Sequence, residues 1–187
     1  MKRILILCAV GVILLITSSA EATGPFPPPQ KWEPRLGVLY LFQKKAAEDG
    51  PWPVVPGGAS GVLRYNLWGK VFSFDFHGWK LAPKKKYTLI YYPDPWPGEG
   101  LICLGSGKTN PAGNINLFNH HFDIGTSLPA KDDANWSPQY PSGAVGAKIW
   151  LVLSEDVDCA KSYMTGWNPD SYLFEYNLIN FEWLGDN

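Results

Sequence analysis

The sequence predicts an all-β protein, an antiparallel β-sandwich of jelly-roll or immunoglobulin-like type. Short runs rich in β-branched and aromatic residues recur along most of the chain, and Gly, Pro, Asn and Asp separate them at nearly every break. No stretch longer than about two turns keeps the spacing of an amphipathic helix. The clearest run, VFSFDFH, alternates strictly: Phe72, Phe74 and Phe76 share the face that we expect to enter the core. Its other face carries Asp75 and His77.

Three further runs complete the strand pattern. LGVLYLF, residues 36–42, predicts the first strand, and AKIWLVL, residues 147–153, is apolar almost throughout. A strand of that kind is typical of the middle of a sheet, where both faces are buried. The segment from Tyr172 to Trp183 carries aromatic residues on both faces. We expect it to form one long C-terminal strand.

The N-terminus has the features of a signal peptide. A short basic start precedes the apolar run Ile4 to Ile16, and Ala20-Glu21-Ala22 fits the small-x-small rule for signal peptidase. The apolar run is shorter than the about 20 residues of a membrane span, which favours cleavage over the alternative of an uncleaved anchor. We therefore predict a cleaved signal peptide over 1–22, a proline-rich extended leader over 23–35 and a single sandwich domain over 36–187. The expected location is secreted or cell-surface, with membrane contact only through an uncleaved signal segment.

The charge balance excludes one class of partner. Removing residues 1–22 takes away Lys2, Arg3 and Glu21, which leaves 14 basic and 16 acidic residues and a net charge of −2. Nucleic-acid binding requires a basic face for phosphate, and this chain does not supply one. The one basic run, residues 84–86, is predicted to be a solvated turn.

Two cysteines remain after residues 1–22 are removed, Cys103 and Cys159. In an exported chain a lone pair predicts a disulfide, whereas free buried thiols are the alternative. The bond would close a loop of roughly 57 residues and stabilise the fold by on the order of 4 kcal/mol in the chain-entropy model.

Four segments resemble a known type of exported module. HGWKLAPKKKYTLIYY, CLGSGKTNPAGNINL, GAKIWLVLSEDVDC and MTGWNPDSYLFEYNLI follow one another in the chain. Together they are similar to an uncharacterised β-sandwich domain of secreted or surface proteins of archaea and bacteria, over residues 61–181. The resemblance implies the fold and an extracellular setting, and it implies no activity and no catalytic residues.

Tryptophan is abundant, with nine residues, and four of them lie in turn-like sequence: Trp52, Trp96, Trp136 and Trp167. Loop tryptophans can stack on sugar rings while polar neighbours bind the hydroxyl groups. The alternative is that these rings cap the ends of the core. A flat row of exposed rings would favour carbohydrate binding, and its absence would leave the structural interpretation.

Adjacent histidines in LFNHHFDIG raise the question of a metal site. Neighbouring side chains on a strand point to opposite faces, so His120 and His121 cannot share one ion without a bulge. The period of two predicts that His120 faces the core and that His121 shares the opposite face with Asp123. If this strand lay beside VFSFDFH, then Asp75, His77, His121 and Asp123 would form a mixed histidine and carboxylate site. Hydrogen-bonded structural histidines are the alternative.

Common catalytic motifs are missing from the sequence: it has no Gly-x-Ser-x-Gly, no His-Glu-x-x-His and no phosphate-binding loop. This pattern favours a non-catalytic structural, adhesive or binding module without a cofactor, whose partner is a glycan or another surface protein. A carbohydrate-binding module is the first alternative. A metal-dependent site at His77 and His121 is the second.

Overall fold

The described chain is all-β and almost entirely antiparallel. The computed structural model describes residues 36–47, 50–130, 140 and 144–185. The proposed signal peptide and the proline-rich leader lie outside these ranges. The strands of the described ranges are β1 Leu36–Phe42, β2 Ser60–Asn66, β3 Trp68–Gly69, β4 Phe74–Trp79, β5 Lys86–Tyr92, β6 Ile102–Lys108, β7 Ile115–Asn119, β8 Lys148–Leu153, β9 Val157–Asp158, β10 Tyr163–Met164, β11 Phe174–Glu175 and β12 Glu182–Trp183. Two single turns of 3-10 helix, Ser154–Asp156 and Pro169–Ser171, interrupt the last third.

Two sheets provide most of the fold. The first has the order β11-β1-β2-β4-β7 and the second has the order β6-β5-β8. All of these pairings are antiparallel, whereas the small pair β12-β3 is parallel.

A single apolar cluster takes residues from both sheets. Phe72, Phe74 and Phe76 are all buried in it, as their alternation predicted. Packing is close where β6 approaches β7: a Cβ atom added to Gly107 would lie 2.6 Å from Cδ2 of Leu117. Glycine at this position therefore lets the side chain of β7 rest directly on the backbone of β6.

The segment that contains β11 joins the two sheets along one side. Leu173 exchanges two backbone hydrogen bonds of 2.9 Å with Leu151 of β8, and β11 immediately afterwards pairs with β1. Every residue of β8 is buried, as its unbroken apolar run predicted. β5, not β8, is however the central strand of this sheet, so the prediction of a central strand was wrong in that respect; the outer edge of β8 bonds to Leu173.

The prediction of one long C-terminal strand was also wrong. After β11, the backbone of Ile179 pairs with Ala147, Phe181 pairs with Leu128, and β12 pairs with β3. The segment bonds to several different parts of the fold in turn, so no continuous strand forms. Its aromatic residues on both faces reflect these several contacts.

The disulfide predicted from the cysteine count is present. Cys103 on β6 and Cys159 after β9 are bonded, with their Cα atoms 5.7 Å apart. The bond ties the three-stranded sheet to the loop that follows β8 and β9.

Candidate functional site

Three of the four loop tryptophans come together in space. The ring centroid of Trp167 lies 5.9 Å from that of Trp52 and 5.6 Å from that of Trp96. Trp150 of β8 joins them, with its ring centroid 6.1 Å from that of Trp167. We call these four residues the tryptophan cluster. Trp136, the remaining loop tryptophan of the sequence prediction, lies outside the described residues.

The base of the tryptophan cluster is rigidly packed. Trp150 stacks on Tyr92, with ring centroids 3.8 Å apart and planes inclined by 12°, and it meets the edge of Phe174 at 5.2 Å. Trp52 contacts the same Phe174 at 5.0 Å and donates its indole N–H to the carbonyl oxygen of Ala47 at 2.9 Å. Trp150 therefore belongs to the core, and Trp52 is partly buried and packs against it.

The other two rings face solvent. Trp96 is 51% exposed and Trp167 is 39% exposed. The plane of the Trp167 ring is inclined by 75° to that of Trp96 and by 58° to that of Trp52. The cluster is therefore a stepped surface with two solvent-exposed rings and not a flat row.

A buried carboxyl group holds the loop that carries Trp167. Asp156 is 5% exposed, and its oxygens accept hydrogen bonds from Asn168 Nδ2 at 2.9 and 3.0 Å and from the Tyr172 hydroxyl at 2.6 Å. The backbone N–H of Asn168 in turn donates to the Tyr172 oxygen at 3.0 Å. A Cβ atom on Gly166 would lie 2.3 Å from Asp156 Oδ1. The backbone can therefore approach the carboxyl group this closely only because residue 166 is a glycine. Burial, reinforced by the bond to Asp156, raises the pKa of Tyr172.

The loop that carries Trp96 is fastened to the same region. The peptide bonds before Pro95 and Pro97 are both cis. The backbone N–H of Met164 donates to the carbonyl oxygen of Pro97 at 2.9 Å, and that of Gly100 donates to Ser162 at 2.9 Å. The Trp96 loop and the chain just before Trp167 are therefore bonded directly to each other.

A group of charged residues is buried next to the tryptophan cluster. Lys148 ion-pairs with Asp94, and these side chains are only 3% and 14% exposed. Glu175 is fully buried and Lys44 is 6% exposed. The hydroxyl of Tyr140 donates to Glu175 Oε1 at 2.8 Å. We call these five residues the buried charge cluster.

Burial controls the electrostatics of this cluster. It raises the pKa of Glu175, although Lys44 and Lys148 act in the opposite direction. Burial likewise lowers the pKa of Lys44, although Glu175 opposes the shift. The pKa of Tyr140 is raised by burial and then by the charge of Glu175. Each group is thus shifted toward its neutral form, as expected in a region of low dielectric constant.

Sequence analysis missed the buried charge cluster. Lys148 opens an apolar strand, and Glu175 interrupts the aromatic run YLFEY. A charged residue inside a strand that is otherwise apolar was the available signal, because such a residue is buried only when it is paired.

The structure does not assemble the four residues of the metal hypothesis. Strands β4 and β7 are neighbours, as the hypothesis required, with Asp75 opposite Phe118 and His77 opposite Asn116. His77 Nδ1, however, is hydrogen-bonded to Asn116 Oδ1 at 2.8 Å. Within the described ranges, no three or more His, Cys, Asp or Glu side chains form a group that could hold a metal ion.

The two histidines lie just beyond the strand. β7 ends at Asn119, and both His120 and His121 are exposed, so the prediction that His120 faces the core was wrong. It is His120, not His121, whose Nε2 comes within 3.5 Å of Asp75 Oδ1. Asp123 Oδ1 accepts a hydrogen bond from the indole N–H of Trp183 at 2.8 Å. These contacts are those of surface structural residues.

An open groove of about 490 Å³ lies elsewhere on the molecule. Its walls are Leu67, Trp68, Ser127, Leu128, Pro129, Asn180, Phe181 and Glu182. Only Glu182 among them is charged, and its backbone forms part of β12, which pairs with β3. The groove has no convergent set of reactive groups.

The fold and the site together are those of an antiparallel all-β protein in which a half-exposed tryptophan cluster lies next to buried charges. Comparison with protein-family models, with curated proteins and with solved structures found no match for the chain. Over the described ranges, no helix has the length and apolar character that crossing a membrane needs.

Proposed function

We propose that this chain is an exported, non-catalytic binding module that holds sugar rings against Trp96 and Trp167. The single observation that carries the proposal is the convergence of three loop tryptophans on one surface, two of them substantially exposed. Exposed indole rings that are held in place bury the apolar face of a pyranose well. An isolated exposed ring would have no such meaning.

Polar groups next to these rings supply the other half of sugar recognition. Asn168 follows Trp167 and is exposed, and Asp94 precedes Trp96 by two residues and remains partly accessible. Carboxylate and amide side chains are suited to the hydroxyl groups of a sugar.

We further propose that the two sheets form a β-sandwich and that the protein acts outside the cell or at its surface. The shared core and the disulfide between Cys103 and Cys159 support this proposal, because disulfides persist in oxidising compartments. The signal-like sequence over 1–22 supports it independently. Determining the N-terminus of protein secreted by cells tests the export step, and we expect it near Thr23.

The sugar proposal is tested with two matched variants. Trp96→Ala removes an exposed ring of the cluster, whereas Trp79→Ala removes a ring that is 43% exposed at the end of β4. The wild-type protein is first screened against a panel of soluble and insoluble polysaccharides, and affinity for any that binds is then measured by calorimetry or depletion.

We expect binding by the wild-type protein, at least a tenfold loss of affinity in Trp96→Ala and no change in Trp79→Ala. A well-stacked ring contributes up to about 1.5 kcal/mol beyond the apolar area that it buries, and a tenfold change in affinity corresponds to about 1.4 kcal/mol. A broad panel without binding, or equal affinities of the two variants, would refute the proposal.

A further inference from the structure

The pairing of Lys148 with Asp94 is enforced by the backbone. Lys148 opens β8 and lies opposite Tyr92, the last residue of β5. Asp94 follows two residues later, and its Oδ2 contacts Lys148 Nζ. The amine and the carboxyl group are therefore kept together at the end of two paired strands.

Solvent is largely excluded from this contact. Lys148 is 3% exposed, and the stacked rings of Tyr92 and Trp150 lie on the same face of the sheet. A buried ion pair without water is costly. Transfer of one proton within the pair gives a neutral amine, which is a nucleophile, and a carboxylic acid, which is an electrophile.

A third group can move the proton. Glu175 is fully buried, it interacts electrostatically with Lys148, and burial raises its pKa. The hydroxyl of Tyr140 orients it by donating to Oε1, and Tyr140 also interacts electrostatically with Asp94. A buried carboxyl group with a raised pKa is suited to both accepting and donating a proton.

We propose that Lys148 and Asp94 form an intramolecular isopeptide bond and that Glu175 transfers the proton in this reaction. Nζ of Lys148 attacks Cγ of Asp94, and the new C–N bond gives a tetrahedral intermediate. Glu175 accepts a proton from Nζ and delivers it to Oδ2, and the C–Oδ2 bond then breaks. One ammonium and one carboxylate become one amide and one water, so atoms and charge balance without an oxidant or co-reactant.

The loop that the isopeptide bond would close, residues 94–148, overlaps in sequence with the loop that the disulfide closes, residues 103–159. Nine positions separate Asp94 from Cys103, and eleven separate Lys148 from Cys159. The two links together would close the Trp96 loop and the chain that leads from β8 toward Trp167. The proposal does not rest on sugar binding, although Asp94 lies at both sites; as an amide, Asp94 would keep one oxygen that can accept a hydrogen bond.

Peptide mapping of the full wild-type chain tests the proposal directly. Trypsin releases residues 87–108, which contain Asp94 and Cys103, and residues 132–161, which contain Cys159 and an uncut Lys148 if that amine is an amide. The disulfide also joins these two peptides, so the digest is fully reduced before mass spectrometry. We expect one joined peptide, lighter by one water than the sum of its parts. Three separate peptides, residues 87–108, 132–148 and 149–161, would overturn the proposal.

Two variants locate the bond. Lys148→Arg keeps the cation but cannot form the amide, so we expect the joined peptide to vanish while the disulfide persists. Lys44→Arg makes the same change at the other buried lysine of the cluster and should leave the joined peptide in place. A bond that survives in Lys148→Arg, or one that maps to Lys44, would contradict the assignment.

Glu175 is tested by the rate of bond formation. In freshly synthesised protein the joined fraction is followed with time for wild type and for Glu175→Gln, and disulfide formation serves as the measure of folding. General acid–base catalysis accounts for about a hundredfold or more, so we expect at least that slowing with disulfide formation unchanged. Equal rates of bond formation would refute the role of Glu175, and equal slowing of both reactions would make the role structural.

Discussion

Replacing Tyr172 by Phe tests how the loop of Trp167 is held. The change removes only the hydroxyl group, which donates to the buried carboxyl group of Asp156 at 2.6 Å and accepts from the backbone N–H of Asn168 at 3.0 Å. The ring itself is fully buried and keeps its place in the core.

The magnitude follows from these two bonds. A hydrogen bond to a charged group contributes about 1.5–3 kcal/mol, and a buried group that loses its partner bears the desolvation penalty in addition. Asn168 Nδ2 continues to donate to Asp156, so the carboxyl group keeps a hydrogen-bond partner. We therefore expect Tyr172→Phe to lower the free energy of unfolding by about 2–3 kcal/mol, and the melting temperature by roughly 4–12 °C.

Urea unfolding followed by circular dichroism measures the loss. Tyr176→Phe is the matched control, because Tyr176 is 57% exposed and the change should stay within about 0.5 kcal/mol. In a double-mutant cycle, Asp156→Asn should remove at least about 1 kcal/mol of the effect of Tyr172→Phe. A loss below about 0.5 kcal/mol, or one that is undiminished beside Asp156→Asn, would refute this account of the loop.

Two further predictions concern the cross-links and the pH dependence. Replacing Cys103 and Cys159 by serine should lower the free energy of unfolding by about 4 kcal/mol in Lys148→Arg protein, which has no isopeptide bond. In the wild-type background the same replacement should cost about 3 kcal/mol, because the proposed isopeptide bond shortens the loop that the disulfide closes. Equal losses in urea titrations of the two backgrounds would contradict that coupling. Burial raises the pKa of Tyr65 to about 12, so the unfolded chain releases this proton first and stability falls as pH rises above about 10. Tyr65→Phe should remove up to about 1.4 kcal/mol per pH unit from that fall, and identical slopes for the two proteins between pH 10 and 12 would contradict it.

The strand alternation of Phe72, Phe74 and Phe76 was predictable, because three large apolar residues in phase leave one choice of buried face. The phase of β7 was not. Ile115 and Leu117 take the core positions, which turns Phe118 outward with 73% exposure and sends His120 after it. The prediction for His120 used the period of two alone, but the phase of a strand is set by all of its residues and by the neighbouring strands.

The tryptophan cluster was half predictable. Turn-like sequence correctly marked Trp52, Trp96 and Trp167 as loop residues, but it could not show that the loops meet, since pairing between distant segments depends on the whole topology. Trp150 of β8 forms the floor of the cluster. The sequence carried a signal that Lys148 and Glu175 are buried, but their meeting with Asp94 was not predictable for the same reason, because the three residues come from separate segments.

The anchoring of the two tryptophan loops bears on the choice between a binding surface and a core cap. The backbone bonds from Met164 to Pro97 and from Gly100 to Ser162, together with the disulfide, fix the Trp96 loop to the chain before Trp167. A cap under selection for stability alone gains by burying its ring, at about 25 cal/mol per Å² of apolar surface. Trp96 is instead held firmly and left half exposed. Such preorganisation lowers the entropy cost of binding a ligand, and it gives no comparable benefit to a ring whose only task is to cover the core.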